Sequence, residues 1–514
     1  MPMLSTQTEA HLSPPEGAVR PSPTNTPELV ARLRDALSHC TDGGDPDTNP
    51  WRSLLYDRLR EQGLPALIAD DTITPGGSLW TGARLWTEAF RDTSLRAGDR
   101  LVIVLPPSTA FVQVLVAALW EGFTVALAPP RDDIEQLCTA LDARAAVASR
   151  PGPHTWAASA CAGPTSTPEV LRPADTGRTP AVRFLLRTSG TTQLARWIAL
   201  SDRNVLSVLA SHLPHLTLRN ARVLSVLPWS HAFGLVLELF PALLAGAEII
   251  RDPEGGRDPS TLVALGDQWD VTHLSAVPLT VQRLLKHEGG ASLLDRLHGG
   301  IIGGAPVSGP LADRLAETRL RAGYGQTEAA PGIALGPPGR WAANYLGRPV
   351  GCEVAMADDG ELLFDGPNAC VGVWRRGEGL DRTDPTRTVR TGDLVRRKGD
   401  DLFFEGRKGA SFKLSNGRLV RAGAWEARLK SKYPFLHDVL LFTPGGTDVT
   451  LALCTDRPSD EVPSLEDLRN DLSSLGSRLA AATTISPDNW AQLPKGTVDR
   501  IEMTRRLQGA VRSD

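Results

Sequence analysis

The sequence predicts an α/β protein with two parts, a large N-terminal domain of mixed sheets flanked by helices and a smaller C-terminal domain that mixes short strands and helices. Three observations lead there. From about residue 51, short β-branched runs alternate with helix-spaced apolar repeats, the pattern of βαβ units in a mostly parallel sheet. After Pro331 the chain changes to short strands joined by turn signals, "DDG" and "KGDD". Beyond Gly406–Gly409 short strands and helices mix again.

Taken in order, residues 1–50 are rich in Pro, Ser, Thr and Asp and are expected to be disordered, apart from one short helix near Thr26–His39. "DRLVIVLPP" (Asp99–Pro107) reads as a strand. "STAFVQVLVAALWEG" reads as a helix ending at Gly122, and "FTVALAPP" as a second strand. The alternation recurs in "ARVLSVLP", the helix-like "GLVLELFPALLAG" and "AEIIRD". It recurs again where "VTHLSAVP" precedes "LTVQRLLKHE" and "RLHGGIIGGAPV" precedes "SGPLADRLAETR". "CEVAMADDGELLFDG" and "GDLVRRKGDDLFFEGR" read as paired strands. The division that follows is a 1–50 segment, an N-terminal domain over 51–406 and a C-terminal domain over 407–514.

Composition narrows the function classes. The 514 residues carry a net charge of only −4, which gives no footprint for nucleic acid or an anionic membrane. The six cysteines (Cys40, Cys138, Cys161, Cys352, Cys370, Cys454) are scattered without a CxxC, so neither a disulfide framework nor a zinc site is expected. The N-terminus lacks an apolar signal core. The longest apolar stretch, Phe111–Pro129, contains Gln113, Glu121 and Gly122 and reads as a buried α/β unit with no membrane span. A cytoplasmic location fits these features.

Four segments carry candidate chemistry. In "RFLLRTSGTTQLARWIALSDRNVL" a strand runs into Thr188, Ser189, Gly190, Thr191 and Thr192, and a second strand, Trp197–Leu200, leads to a helix cap at Ser201 or Asp202. Small hydroxyl residues around Gly let N–H and O–H groups converge on an anion, which suits a polyphosphate; a plain Ser/Thr-rich hairpin turn fits equally well. It is not a Walker loop. "LPWSHAFGL" (Leu227–Leu235) places His231 at the end of a strand, where α/β sheets bind ligands, although a lone His there more often packs than reacts. "GGAPVSG" and "AGYGQTEAAPG" combine a turn that a flat ring can approach closely (Gly304, Ala305) with Tyr324 to stack on it. Thr327 and Glu328 offer oxygens for Mg²⁺, and read alone Glu328 is a solvated loop carboxylate. In "RTGDLVRRKGDDLFFEGRKGASFKLSNGRLV", Asp393 is placed to accept ribose hydroxyls and Arg407 adds a fixed charge.

In this order and at these separations the segments resemble the adenylate-forming (AMP-binding) superfamily of acyl-CoA synthetases, peptide-synthetase adenylation domains and luciferases, over roughly residues 51–505. "TSGTT" is similar to its phosphate loop, "LPWSHAFGL" to its aromatic–His loop, and "GGAP" with "GYGQTE" to its adenine and magnesium segments. "TGD" is similar to its ribose-binding Asp, "EGRKGASFKLSNGRLV" to its hinge, and "LPKGTVDRIE" to its C-terminal catalytic loop. The resemblance implies ATP and Mg²⁺, with a CoA or phosphopantetheine thiol as co-substrate. It assigns Thr188 to Thr192 to the β- and γ-phosphates and His231 to the border of the acid pocket. Gly304, Ala305 and Tyr324 go to adenine, Thr327 and Glu328 to phosphate and metal, Asp393 to ribose and Arg407 to the nucleotide. The fold it implies ends in a small mobile C-terminal α+β domain, a lid with Gly409 at its hinge.

The chain departs from this pattern twice. The phosphate loop continues "TTQLARW" where the family has "TTGxPKG", so Gln193, Ala195, Arg196 and Trp197 replace its Gly, Pro, Lys and final Gly. The C-terminal lysine that bridges acid and α-phosphate falls on Arg500, a planar fork in place of a point charge, with Lys495 close by. "KLSNGRLV" resembles the long-chain acyl-CoA synthetase branch more than the amino-acid-activating one. The apolar Phe233, Leu235 and Val236 favour an aryl or aliphatic acid. The function implied is activation of a carboxylic acid as acyl-AMP, followed by transfer to CoA or to a carrier protein, which is expected to be a separate partner. An amide-forming ligase and a non-catalytic nucleotide- or acyl-binding relic of the family remain the alternatives.

Overall fold

The computed structural model describes residues 26–40, 49–60, 66–69, 72–150, 155–157, 182–188, 196–384, 388–408, 411–413, 419–444, 448–473, 478–492 and 498–511. Its first βαβ unit lies where the apolar periodicity puts it. Strand Arg100–Val104 pairs in parallel with Thr124–Leu127 and with Ala145–Ala148. The crossover helix Thr109–Glu121 opens on Ser108, whose Oγ accepts from the Phe111 amide at 3.2 Å. It closes on Gly122, at φ 80°, a left-handed position that favours glycine. Every residue from Thr109 to Leu119 is buried, which explains an apolar run without a polar face.

This unit belongs to an eight-stranded sheet. Parallel strands occupy one side, where Phe184–Arg187 joins Thr124–Leu127 in parallel, and Trp197–Leu200, Gly372–Arg375 and Gly379–Arg382 continue it as antiparallel neighbours. A second sheet holds Arg222–Ser225, Glu248–Arg251 and His273–Ser275 in parallel, with Ala66–Ala69 and Thr72–Pro75 at its other edge. A third sheet begins with the parallel pair Ile301–Gly303 and Arg321–Gly325 and is otherwise antiparallel, through Gly332–Leu335, Tyr345–Pro349, Asp401–Arg407, Val389–Lys398, Glu361–Asp365 and Glu353–Met356. The change of pattern read after Pro331 is this antiparallel region. The domain boundary expected between 406 and 407 falls inside strand Asp401–Arg407, so Arg407 sits on the same sheet as Asp393.

The C-terminal residues form a hairpin, Ser411–Lys413 with Leu419–Arg421, and a three-stranded sheet of Asp438–Phe442, Val449–Cys454 and Leu479–Ile485. Two apolar cores there draw on residues between Phe412 and Leu507 alone. Helix Ala422–Lys432 meets the third sheet closely, since a Cβ on Gly423 would lie 3.0 Å from the Gly406 Cα. The expected hinge residue, Gly409, lies outside the described residues, as does Asn416 of the "KLSNGRLV" segment.

The helix expected near Thr26–His39 spans Thr26–Ser38 and buries Leu29, Val30 and Leu33 in the main core. A second helix, Pro50–Arg60, brings in Trp51, which is fully buried. The Trp51 ring lies 4.8 Å from Phe240 and 5.9 Å from Phe184. Its Nε1 donates to Asp202 at 2.6 Å, and Asp202 also pairs with the buried Arg183 guanidinium. The N-terminal helices are therefore bonded to the turn that follows Trp197–Leu200, where Ser201 is the capping residue and Asp202 the ion-pair partner. Among the described residues the cysteines are free, no cluster of three or more His, Cys, Asp or Glu could hold a metal, and no helix is long and apolar enough to cross a membrane.

Trp51→Ala removes a fully packed indole and leaves Asp202 without one donor, so unfolding in urea followed by circular dichroism is expected to show a loss of about 3–5 kcal/mol. A loss below about 1 kcal/mol would mean that the N-terminal helices are not integral to the core.

Candidate functional site

The site is assembled on strand ends of the second and third sheets. After Arg222–Ser225 the chain turns through Leu227–His231, held by His231 N donating to the Pro228 carbonyl at 3.1 Å. Helix winding restarts at Ala232, with Leu235 N donating back to the His231 carbonyl at 2.9 Å. Gly234 is demanded by this geometry, because a Cβ there would lie 2.4 Å from the Pro228 oxygen. Trp229 is buried against Phe111, and His231 is half-buried at the start of the helix.

The glycine turn lies alongside. A Cβ on Gly303 would stand 2.7 Å from the Gly323 carbonyl and 3.7 Å from the Phe233 ring. Only a residue without a side chain lets strands Ile301–Gly303 and Arg321–Gly325 meet beneath Phe233. Gly304 follows at φ 84°, next to Val277, and leads into Ala305. The aromatic–His loop and the "GGAP" turn are thus neighbours through Phe233.

The best-defined group is a three-residue hub. Tyr324 donates its hydroxyl to Asp393 Oδ2 at 2.8 Å, and Arg407 Nε donates to Asp393 Oδ1 at 2.6 Å. Asp393 and Arg407 face each other across adjacent strands, so the pair is set by ladder register. Asp393 is only 2% exposed. Burial, then the Asp393 charge, pushes the Tyr324 phenol well above its ordinary range, so it stays a donor. Arg407 also lies within electrostatic reach of Glu328. Glu328 sits on the short turn Thr327–Ala329, and its backbone carbonyl accepts from Cys370 N at 2.9 Å. Among the described residues nothing hydrogen-bonds the half-buried Glu328 carboxylate, and open acceptor capacity of that kind fits a hard cation.

Tyr324, Glu328, Asp393 and Arg407, picked out separately in the sequence, are therefore brought together. Of the hydroxyl loop, Thr188 is seen at its root, where its amide donates to the Arg196 carbonyl at 3.0 Å and closes the antiparallel pair Phe184–Arg187 and Trp197–Leu200. Ser189, Gly190, Thr191 and Thr192, with Gln193 and Ala195, lie outside the described residues. So does Lys495.

Arg500 is engaged elsewhere. It opens helix Arg500–Val511, donates to Glu426 Oε2 at 2.7 Å and reaches the Leu441 carbonyl at 3.1 Å. Glu426 is 8% exposed and also accepts from the Leu441 amide at 2.7 Å. Burial pushes its carboxyl up, and Arg500 opposes that shift. In this conformation the guanidinium completes a buried ion pair inside the C-terminal unit; it bonds neither Asp393 nor Glu328. Sequence alignment alone gives it a free cation's role, because the tertiary partner is distant in sequence.

Two supporting residues were missed. Thr391 Oγ1 accepts from the Asp393 amide at 3.0 Å and donates to the Leu362 carbonyl at 2.8 Å, fixing the "TGD" turn. Its signal was present, since a Thr two residues before a turn carboxylate favours this local bond. Glu361 accepts from the Gly392 amide at 3.0 Å and from Lys408 at 2.9 Å, and it pairs with Arg390. Nothing local marks it, because its partners come from two other strand ends.

A family model described as AMP-binding enzyme matches residues 62–374. Phenyloxazoline synthase MbtB of Mycobacterium tuberculosis is 28% identical over 537 aligned positions, which cover 96% of this chain and 37% of that protein. The chain thus spans little more than a third of the length of that relative. Feruloyl-CoA synthase of an Amycolatopsis species is 28% identical over 348 positions, covering 62% of this chain and 70% of that one. Among solved structures, ATP-bound MatB from Rhodopseudomonas palustris superposes with a TM-score of 0.73 at 18% identity, over 90% of this chain and 99% of that one, a likeness of fold.

The Arg500–Glu426 pair generates a stability prediction. Arg500→Ala leaves a buried carboxylate without its counter-charge and is expected to destabilise the C-terminal unit by about 3–5 kcal/mol. Replacing both residues with Leu is expected to recover most of that loss. Hydrogen exchange on the 419–507 strands and helices reads the difference, and equal losses in the single and double variants would refute the pairing.

Proposed function

The chain belongs to the AMP-binding enzyme family, and from that premise we propose that it activates a carboxylic acid with ATP as the acyl-adenylate and passes the acyl group to a thiol. The observation that carries the reading is the Tyr324–Asp393–Arg407 hub, built on the buried Asp393 carboxylate, beside the Gly303–Ala305 turn. A carboxylate held at depth with two acceptor atoms suits the paired hydroxyls of a ribose. The side-chain-free turn and the Tyr324 ring suit a flat base.

In the proposed first step a carboxylate oxygen of the acid attacks the α-phosphorus of ATP, the new O–P bond forms, and the bond to the β-phosphate oxygen breaks to release pyrophosphate. Anion meets anion, so the site must supply positive charge and oriented donors. Thr188 and the Ser189–Thr192 loop are assigned to the β- and γ-phosphates, with Thr327 beside them. Glu328 would hold Mg²⁺, which supplies charge neutralisation at the phosphates. Arg407 orients Asp393 and adds cationic field near the nucleotide. His231 is assigned to the border between the acid and the α-phosphate. In the second step the sulfur of a CoA or phosphopantetheine thiol attacks the acyl carbon and AMP leaves. The name of one relative, a feruloyl-CoA synthase, supports an acid–thiol ligase. The Phe233 ring against Gly303 supports an aryl or aliphatic acid. Arg500 enters the reaction only if it leaves Glu426, and Lys495 is the other candidate for that charge.

Acid-dependent pyrophosphate release from Mg·ATP, measured over aliphatic, aryl and amino acids, tests the reading. Release with one acid class that disappears in Glu328→Ala is expected. Silence across the panel with ATP binding intact would favour a nucleotide-binding relic. Separately, Asp393→Ala is expected to weaken ATP binding roughly tenfold or more by calorimetry, and an unchanged affinity would remove Asp393 from the ribose.

A further inference from the structure

The helix that follows His231 changes its winding where it carries its one charge. Ala232–Gly234 and Phe240–Ala245 are α-wound, and Leu235–Leu239 between them is a π turn, an irregularity that recurs at functional sites. Glu238 lies in that turn, 3% exposed, amid the apolar run "GLVLELFPALL". Packing alone does not call for it, since a Leu fills similar volume without an ionisable group.

Its partners explain the choice. Glu238 Oε1 accepts from the Ser225 hydroxyl at 2.5 Å. Ser225 Oγ in turn accepts from Trp229 Nε1 at 3.1 Å and from Arg251 Nη1 at 3.2 Å. One donor and two acceptor sites are all a hydroxyl has, so Ser225 is saturated and its proton is committed to Glu238. Arg251 Nη1 also holds the Ser225 carbonyl at 3.0 Å and the Leu227 carbonyl at 2.8 Å, and its guanidinium lies 5.7 Å from the Trp229 ring. Ser225 and Arg251 stand at the carboxyl ends of two parallel strands. The network therefore clamps residues 225–229, the stretch that delivers His231.

We propose that Glu238 is the positioning residue of the aromatic–His loop, holding Ser225, Trp229 and Arg251 in one arrangement and thereby fixing where the His231 imidazole stands. The consequence for the reacting acid rests on the adenylating reading above; the positioning itself does not. Glu238 Oε2 is buried without a hydrogen-bond partner. Burial pushes the Glu238 carboxyl up to about 7, with Ser225 and Arg251 opposing. When the acid is neutral its proton resides on Oε2, because Oε1 already accepts from Ser225. Burial lowers the pKa of the facing cation, Arg251, with Glu238 and Asp252 opposing, and a guanidinium stays charged beside either form of Glu238. Gln preserves an acceptor at Oε1 and a filled volume, whereas Leu preserves volume only.

The test compares Glu238→Leu and Glu238→Gln in the full chain. The His231 ring signal is observed by carbon–proton NMR and assigned by its loss in His231→Asn. Glu238→Leu is expected to shift or broaden that signal while the buried His212 and His273 signals stay in place, and Glu238→Gln is expected to restore it. With an acid identified from the panel, Glu238→Leu is expected to raise KM for the acid roughly tenfold and to leave KM for ATP within about twofold. A His231 signal in Glu238→Leu that superposes on the wild type would overturn the proposal. So would parallel changes at His212, His273 and both KM values, which denote general loosening. A shifted His231 signal in a protein that releases no pyrophosphate with any acid supports the positioning and sinks the adenylating reading alone.

Discussion

The constraint on which the site depends is the burial of the Asp393 carboxylate. A charge taken out of water must be paired and hydrogen-bonded. Here the partners come from separate places, Tyr324 from the Arg321–Gly325 strand and Arg407 from the neighbouring ladder, while Thr391 holds the Asp393 amide in the turn itself. Satisfying one carboxylate therefore fixes the register of the Val389–Lys398 and Asp401–Arg407 strands and the position of an aromatic ring two strands beyond the Tyr345–Pro349 strand. The same residues that make the burial tolerable face the proposed nucleotide. Fold and site share their interactions here, and neither can change alone.

What was legible in the sequence follows from which interactions are local. The Gly122 stop and the strands on either side were readable because left-handed glycines and apolar periods act over a few residues. Tyr324, Glu328, Asp393 and Arg407 were readable one at a time, through motifs whose order alone implied a common site. The hub itself was not, since a Tyr–Asp bond spanning 69 residues leaves no trace in spacing. Glu361 and Glu238 were hidden for the same reason. Each looks like an ordinary strand or helix carboxylate until the chain folds around it. The placement of Arg407 shows a subtler limit: the boundary read between 406 and 407 falls within a strand that runs on through Arg407 to complete its pair with Asp393.

Arg500 illustrates how a substitution can alter more than charge. A lysine ammonium is a compact point charge on a flexible stem, whereas a guanidinium offers a planar fork that can serve two acceptors at once. Here the fork spans Glu426 and the Leu441 carbonyl, and Glu426 itself reaches the Leu441 amide, so the three groups close a small circuit. A lysine in the same place could not engage both acceptors in one plane. Arg at this position thus gains a structural role for the C-terminal unit.

The walls of the proposed acid pocket obey the same logic as the nucleotide hub, with a different result. At Gly303 and Gly234 the backbone approaches so closely that no side chain fits, which makes that region stiff by exclusion. The Leu227–His231 turn is stiff for another reason, the polar clamp of Ser225, Trp229, Arg251 and Glu238 beneath it. Phe233 bridges the two, touching Gly303 on one side and lying on the clamped helix on the other. Selectivity at such a wall is then set by the shape left beside Phe233, and changing it requires altering the supports as well as the residues that touch the acid.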